Sequence, residues 1–256
     1  MALGKDLLLS DKYSAVEKFY IRIFGVPING LRIRARRILP LVTAKYKNIM
    51  DAGCGPAVFT LEIARKLPNS LTTGIDIDDE LIKANSDIAN KAALKNCFFE
   101  KIDIREMNII EKFDLIISID NLEHIEDDDN ALQKFYNALV KNGEIIIHVP
   151  GYERRWFFWS WKVNFHVEGH YRSGYTKKQI VEKVEKAGFK VSDAYYTYGW
   201  LETITNNISY LITKAEMKNR LLYAFIFPIL NFISWFGRNS FPEKGAGVLV
   251  IADKRQ

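Results

Sequence analysis

From about residue 47 onward, apolar runs of strand length alternate with amphipathic stretches of helix length, and few architectures accept that rhythm. "YKNIMDAG", "SLTTGIDID", "CFFEKID", "FDLIISID", "EIIIHVP", "FKVSDAYYTY" and "GAGVLVIADK" read as strands. "VFTLEIARKL", "DELIKANSDIANKAAL", "NALQKFYNALV" and "TKKQIVEKVEKAG" read as helices between them. The fourth strand is almost continuously apolar, as a strand covered on both faces must be. The alternation predicts an α/β chain: a mostly parallel sheet with helices on both faces. Ligands of such sheets lie beyond the carboxyl ends of the strands, so residues at those ends should converge on one crevice.

Residues 1–40 precede this pattern as a helical, basic extension ending in "LRIRARRILP", and residues 41–256 carry the main domain. Two stretches interrupt its rhythm. Residues 151–170, "GYERRWFFWSWKVNFHVEGH", hold three of the five tryptophans. Residues 199–240 contain "RLLYAFIFPILNFISWFGR", uncharged from 221 to 237 and bracketed by Arg220 and Arg238. With Pro228 inside it, this run predicts two apolar helical pieces lying on a core, a partner or a membrane surface, not a span. Net charge is +5, which suits an anionic partner or simply a solvated basic surface. Cys54 and Cys97 form no CxxC pair and no zinc site, and a reducing, cytoplasmic setting is the default. The apolar stretch near the N-terminus is too short for a signal-peptide core.

The loop after the first strand reads "DAGCGPAV". Gly53 and Gly55 remove side chains where backbone turns sharply or approaches a ligand, although a plain strand-to-helix turn would also use them. A dinucleotide fingerprint would place a third glycine where Val58 stands, and no P-loop Lys-Ser/Thr follows. Asp51 suits a cationic amine better than a pyrophosphate. Asp76, ending the second strand, can accept from both ribose hydroxyls. Asp78 and Asp79 suit the next helix's N-terminus. Asp103, after the third strand, can accept from an adenine amino group. That order fits an adenosine without phosphates.

Taken together, "DAGCGPAVFTLEIA", "GIDIDDELI", "KIDI", "FDLIISIDNLEHI" and "KNGEIIIHVPG" resemble the successive motifs of class I S-adenosylmethionine (SAM)-dependent methyltransferases. The resemblance covers residues 47–198 and the last strand, with Ala57 where the family often has a third loop glycine. It implies a Rossmann-like, seven-stranded sheet whose last strand is antiparallel, with 199–240 inserted between the last two strands. It also implies SAM as cofactor. Gly53 and Gly55 would lie against its methionine part with Asp51 nearby, Asp76 and Ile77 at the ribose, Asp103 and Ile104 at the adenine, with Asp120 as a further cofactor-binding and catalytic candidate.

Methyl transfer from a sulfonium needs alignment and a route for the acceptor's proton. Asp120, Glu123 and His124 form a D-x-x-E-H pattern similar to the metal motif of ubiquinone-pathway O-methyltransferases, which implies a divalent cation such as Mg2+. Alternatively, Glu123 and His124 complete a helix start and the pocket floor, with His124 left as a general base. In "HVEGHYRSGYT", His166, His170, Arg172 and Tyr175 are further candidates; His170 or Tyr175 would touch the acceptor, or hydrogen-bond the insertion's own backbone. His148, within a strand, reads as structural. The Arg-Trp composition of "ERRWFFWSW" suits a membrane interface, an aromatic pocket or a dimer contact.

The expected function is therefore methyl transfer to a small or lipophilic acceptor, oxygen first, such as a lipid, quinone-like or prenylated molecule. The protein would be cytoplasmic, with peripheral association at the membrane's inner face through 151–170 and 220–238. The alternatives are a SAM-binding protein without turnover, and a methyltransferase of nucleic acid or another macromolecule. The last is weakened because "SIDN" stands where an NPPY-type tetrad would. A dinucleotide oxidoreductase is the outside reading.

Overall fold

The computed structural model describes residues 3–152, 169–213 and 219–255. After a 3₁₀ turn at Lys5–Leu9 come helices α1 (Ala15–Phe24) and α2 (Asn29–Ile38). Then follow β1 (Asn48–Ala52), α3 (Val58–Lys66), β2 (Leu71–Asp76), α4 (Asp79–Lys91), β3 (Cys97–Lys101) and β4 (Phe113–Ile119). The rest is α5 (Asp128–Ala138), β5 (Leu139–Pro150), α6 (Lys177–Lys186), β6 (Lys190–Thr197), α7 (Trp200–Thr213), α8 (Arg220–Phe236) and β7 (Gly247–Asp253).

The strands form one 7-stranded sheet in the order β3-β2-β1-β4-β5-β7-β6. Neighbours from β3 to β5 are parallel, and β7 runs antiparallel to both β5 and β6. The predicted Rossmann-like sheet with an antiparallel last strand is thus the observed one. Period-two alternation sends successive strand residues to opposite faces. Met50, Ile116, Ile147 and Val250 pack with Phe135 and Val184. Ile49, Ile117, Ile146 and Leu249 pack with Ile38 and Leu61 on the other side. Helix starts obey local chemistry: Asp78 accepts from the amides of Glu80 and Leu81 at α4, while Ser14–Glu17 and Thr176–Gln179 form capping boxes at α1 and α6.

Two local expectations change. "KNG" turns, but inside β5: Phe113 faces Leu139 while Leu115 faces Glu144, so the segment between bulges out with Asn142 at φ +61°. The run around Pro228 is one helix, not two pieces. Proline cannot donate to the carbonyl four residues back, which is that of Ala224. The Tyr20 hydroxyl of α1 donates to that carbonyl instead, at 2.7 Å. Burial accordingly pushes the Tyr20 phenol up to about 12.

The arginines of α2 are clamps rather than a solvated basic face. Arg32 donates to Phe24 and Val26 carbonyls, Arg36 to Ser234 and Asn231, and Arg37 to Glu202 at 2.6 Å. The Arg37–Glu202 side chains are 3% and 0% exposed, so losing one partner would strand a buried charge, a cost of about 3–5 kcal/mol. These contacts fasten α7 and α8 to the N-terminal helices. Among the described residues, no helix is long and apolar enough to cross a membrane.

Candidate active site

The glycine loop leaves β1 at Ala52 and is strapped to its neighbours by its own backbone. The Gly53 and Cys54 amides both donate to the Ile75 carbonyl at 2.9 Å. The Gly55 amide donates to Asp76 Oδ2 at 2.8 Å, and Asn85 on α4 donates to the Gly55 carbonyl at 2.8 Å. Gly53 needs its missing side chain: φ is +73°, and a Cβ there would stand 2.3 Å from Asn121 Cγ. Gly55, at φ +49°, faces open space instead. Asp51 is buried under this loop and accepts from Thr60 Oγ1 at 2.6 Å. Burial pushes its carboxyl up to about 6 against the pull of that hydroxyl.

Beside the loop opens a cavity of about 240 Å³, whose walls bring together Gly53, Asp76, Ile77, Asp103, Ile104 and His124. Residues predicted separately for sugar and base therefore share one space at the ends of β1, β2 and β3. Asp76 spends one oxygen on Gly55 and the other on the Asp78 amide at 3.0 Å, and each oxygen keeps a lone pair. Asp103 is more occupied than expected. It accepts from the Arg105 amide at 2.9 Å and pairs with its guanidinium at 2.6 Å, which holds its carboxyl below the ordinary range.

Past β4 the D-x-x-E-H pattern divides. Asp120 sits at φ +48°, ahead of the 3₁₀ turn Leu122–His124. Its oxygens meet Arg34 at 2.7 Å and His148 Nδ1 at 2.6 Å, and His148 Nε2 reaches Thr197 Oγ1 at 2.9 Å. Its oxygens are thus engaged elsewhere, and His170 takes the third place beside Glu123 and His124. The Tyr171 amide donates to the Glu123 carbonyl at 3.0 Å, which lays His170 beside His124 with ring centroids 4.3 Å apart. One donor atom each from Glu123, His124 and His170 falls within 4.8 Å of the others. His124 Nδ1 lies 3.0 Å from the Gly169 carbonyl; as the N–H donor there, it leaves Nε2 with its lone pair.

Tyr175 lines the second cavity described below, but its hydroxyl is turned to a carboxylate of the protein itself. It is 2% exposed and its hydroxyl donates to Asp128 at 2.8 Å, with burial raising its phenol further. A second cavity, of about 550 Å³, is lined by Tyr152, His170, Tyr171 and Arg172. Tyr171 lines both cavities. His166 and the tryptophan-rich segment lie outside the described residues. Sequence reasoning missed Asn121, Arg34 and Tyr171. All three stand inside stretches quoted above, "FDLIISIDNLEHI", "LRIRARRILP" and "HVEGHYRSGYT", but nothing local sets them apart from their neighbours there.

A glycine-bare loop, an acid ending the second strand and another after the third define an α/β protein built to hold a nucleoside-type ligand at its strand ends. A family model described as a methyltransferase domain matches residues 44–200, and the chain belongs to that family. It is 24% identical over 141 residues to malonyl-[acyl-carrier protein] O-methyltransferase 1 of Ilyobacter polytropus, covering 55% of this chain and 47% of that one. It is 29% identical over 112 residues to a ubiquinone biosynthesis O-methyltransferase of Coxiella burnetii, covering 43% and 46%. The chain spans about half the length of the curated relatives it matches. Among solved structures, phosphoethanolamine N-methyltransferase 2 of Haemonchus contortus, in complex with SAM, superposes with a TM-score of 0.61 at 18% identity, covering 98% of this chain and 60% of that one.

Proposed function

We propose that the protein is a SAM-dependent methyltransferase of a small or lipophilic acceptor, with oxygen as the attacking atom. The observation that carries the reading is the cavity in which Gly53, Asp76, Ile77, Asp103 and Ile104 meet. Its acids suit ribose and adenine, and its bare loop leaves room for a methionine tail beside Asp51. O-methyltransferases among the curated relatives support oxygen as the acceptor atom.

The second cavity is the acceptor's place in this reading. The acceptor hydroxyl gives its proton to His124 or His170, and its oxygen attacks the methyl carbon. The carbon–sulfur bond breaks and its electron pair stays on sulfur, leaving neutral S-adenosylhomocysteine. Holding three atoms in line can supply about 7–11 kcal/mol, and a placed base a further 10²–10⁴-fold in rate, roughly.

In place of that base role, Glu123, His124 and His170 together fit a divalent cation, and two imidazoles with one carboxylate suit a transition-metal dication better than Mg2+. Such a cation would lower the pKa of an acceptor hydroxyl.

Calorimetry with SAM, followed by S-adenosylhomocysteine release with catechol or lipid acceptors, tests the proposal. Micromolar SAM binding that Asp76→Ala abolishes is expected. Binding without turnover on any acceptor would favour a SAM-binding protein; absence of SAM binding would overturn the reading.

A further inference from the structure

Helix α8 is apolar on every side, a pattern that ordinarily means burial on every side. Only one stripe is buried: Tyr223, Phe227, Leu230 and Ser234 face α1, α2 and α7. The opposite stripe is bare. Leu221 is 81% exposed, Phe225 80%, Ile229 60%, Phe232 63% and Phe236 58%. Alongside it, α1 bares a matching row, Val16 at 78%, Phe19 at 66% and Ile23 at 52%. Ile23 and Phe24 line one groove together with Phe232 and Trp235, so the two rows form one face.

The charges of the two helices and their ends are nearly all of one sign. Lys18 and Arg22 lie on α1, Arg220 begins α8, and Arg238 follows it, stacked on Trp235 at 3.7 Å. The acid among them, Glu17, is bound into the Ser14 capping box. An apolar centre of bulky side chains, cationic ends and an arginine-backed tryptophan complement an anionic lipid surface. The helix cannot go deeper. Its 17 residues reach about 25 Å, short of a ~30 Å hydrocarbon layer, and Arg36 ties Ser234 and Asn231 to α2.

We infer that α1 and α8 together dock the protein on an anionic bilayer, α8 lying in the plane of the headgroups. The 220–238 stretch pointed to a membrane from sequence; α1 as the other half of the face emerges only from the fold. The purpose of docking rests on the lipophilic-acceptor reading, so the test measures docking without turnover. The full chain is floated with phosphatidylcholine vesicles with and without phosphatidylglycerol, and its SAM affinity is measured in parallel.

Wild type should float with the anionic vesicles, less so in high salt. Phe225→Asp and Phe19→Asp, at side chains already in solvent, should each weaken binding by about ten-fold or more. Arg220→Gln should weaken it about five-fold. SAM affinity should be unchanged in all three. A wild type that stays soluble with both vesicle types overturns the inference. So does a dimer in sedimentation equilibrium that Phe225→Asp dissolves, because a second copy would then own the face. Loss of SAM binding in wild type would count against the proposed function and leave the flotation result standing by itself.

Discussion

Asp51→Asn separates stability from ligand binding at a single atom. Asp51 is 3% exposed, and burial carries its carboxyl from the ordinary 3.8 up to about 6, with the nearby Asp76 charge adding and the Thr60 hydroxyl opposing. The folded protein then holds this proton more tightly than the unfolded chain does. For such a group stability falls as pH rises through the window from 3.8 to about 6, and the full cost is present at pH 7. At 1.36 kcal/mol per tenfold, that interval corresponds to about 3 kcal/mol. Asparagine keeps the shape and an oxygen for Thr60, and removes the charge. The variant should exceed wild type at neutral pH by up to about 3 kcal/mol in urea unfolding, and most of the difference should vanish near pH ~4. Affinity for SAM should move the other way. In the proposed reading this carboxylate lies near the cationic end of SAM, so the variant should bind more weakly, and wild-type affinity should decline as pH drops through about 6. A variant less stable than wild type at neutral pH, or a stability difference that ignores pH, refutes the reasoning.

Gly53→Ala should lose about 1–2 kcal/mol from its left-handed backbone alone, and more from the collision with Asn121. Adding Asn121→Ala should return the collision part and not the backbone part, read by urea unfolding alongside SAM titration. Tyr20→Phe should cost about 1–3 kcal/mol by stranding the Ala224 carbonyl. The cost should be smaller in a Pro228→Ala background, where an amide returns to that carbonyl; equal costs in both backgrounds would show that the hydroxyl does something else. Titration with Mn2+ or Zn2+ should find binding that His170→Ala weakens by at least about ten-fold and Asp120→Asn spares. The reverse ranking would restore Asp120 as a ligand.

What was legible in the sequence had local causes. Ile49–Ala52, Leu115–Ile117 and Ile145–Val149 read as strands because a sheet covered on both faces admits near-continuous apolar runs, broken here only by the buried Asp51 and His148. Gly53 and Asp76 were legible because a chain leaving one strand for a helix must turn beside the end of the next. What stayed hidden was pairing at a distance. Arg34 lies 164 residues from Tyr198, whose hydroxyl it shares, and nothing in "LRIRARR" distinguishes the arginine that reaches Asp120 from those that hold α7 and α8. The D-x-x-E-H spacing treats three side chains as neighbours. One positive φ at Asp120 breaks that neighbourhood, and a hydrogen bond from Tyr171 supplies His170 in its place.

Helix α8 shows the same limit from the other side. Its sequence is apolar around the whole circumference, so periodicity alone cannot choose which stripe the protein keeps for itself. The choice is made by polar atoms. The Tyr20 hydroxyl claims the Ala224 carbonyl, the Tyr223 hydroxyl accepts from the Asn29 amide at 3.3 Å, and Arg36 claims Ser234 at 2.8 Å. Three contacts from one side fix the rotation of the helix, and the side left over is where Phe225 and Phe232 stand in solvent. The buried hydrogen bonds, each worth about 1 kcal/mol net, thus orient a surface whose burial elsewhere would be worth several times more. A Tyr20→Phe, Arg36→Met double variant should loosen that choice. Hydrogen exchange in α8 should then rise, while the sheet amides keep their protection.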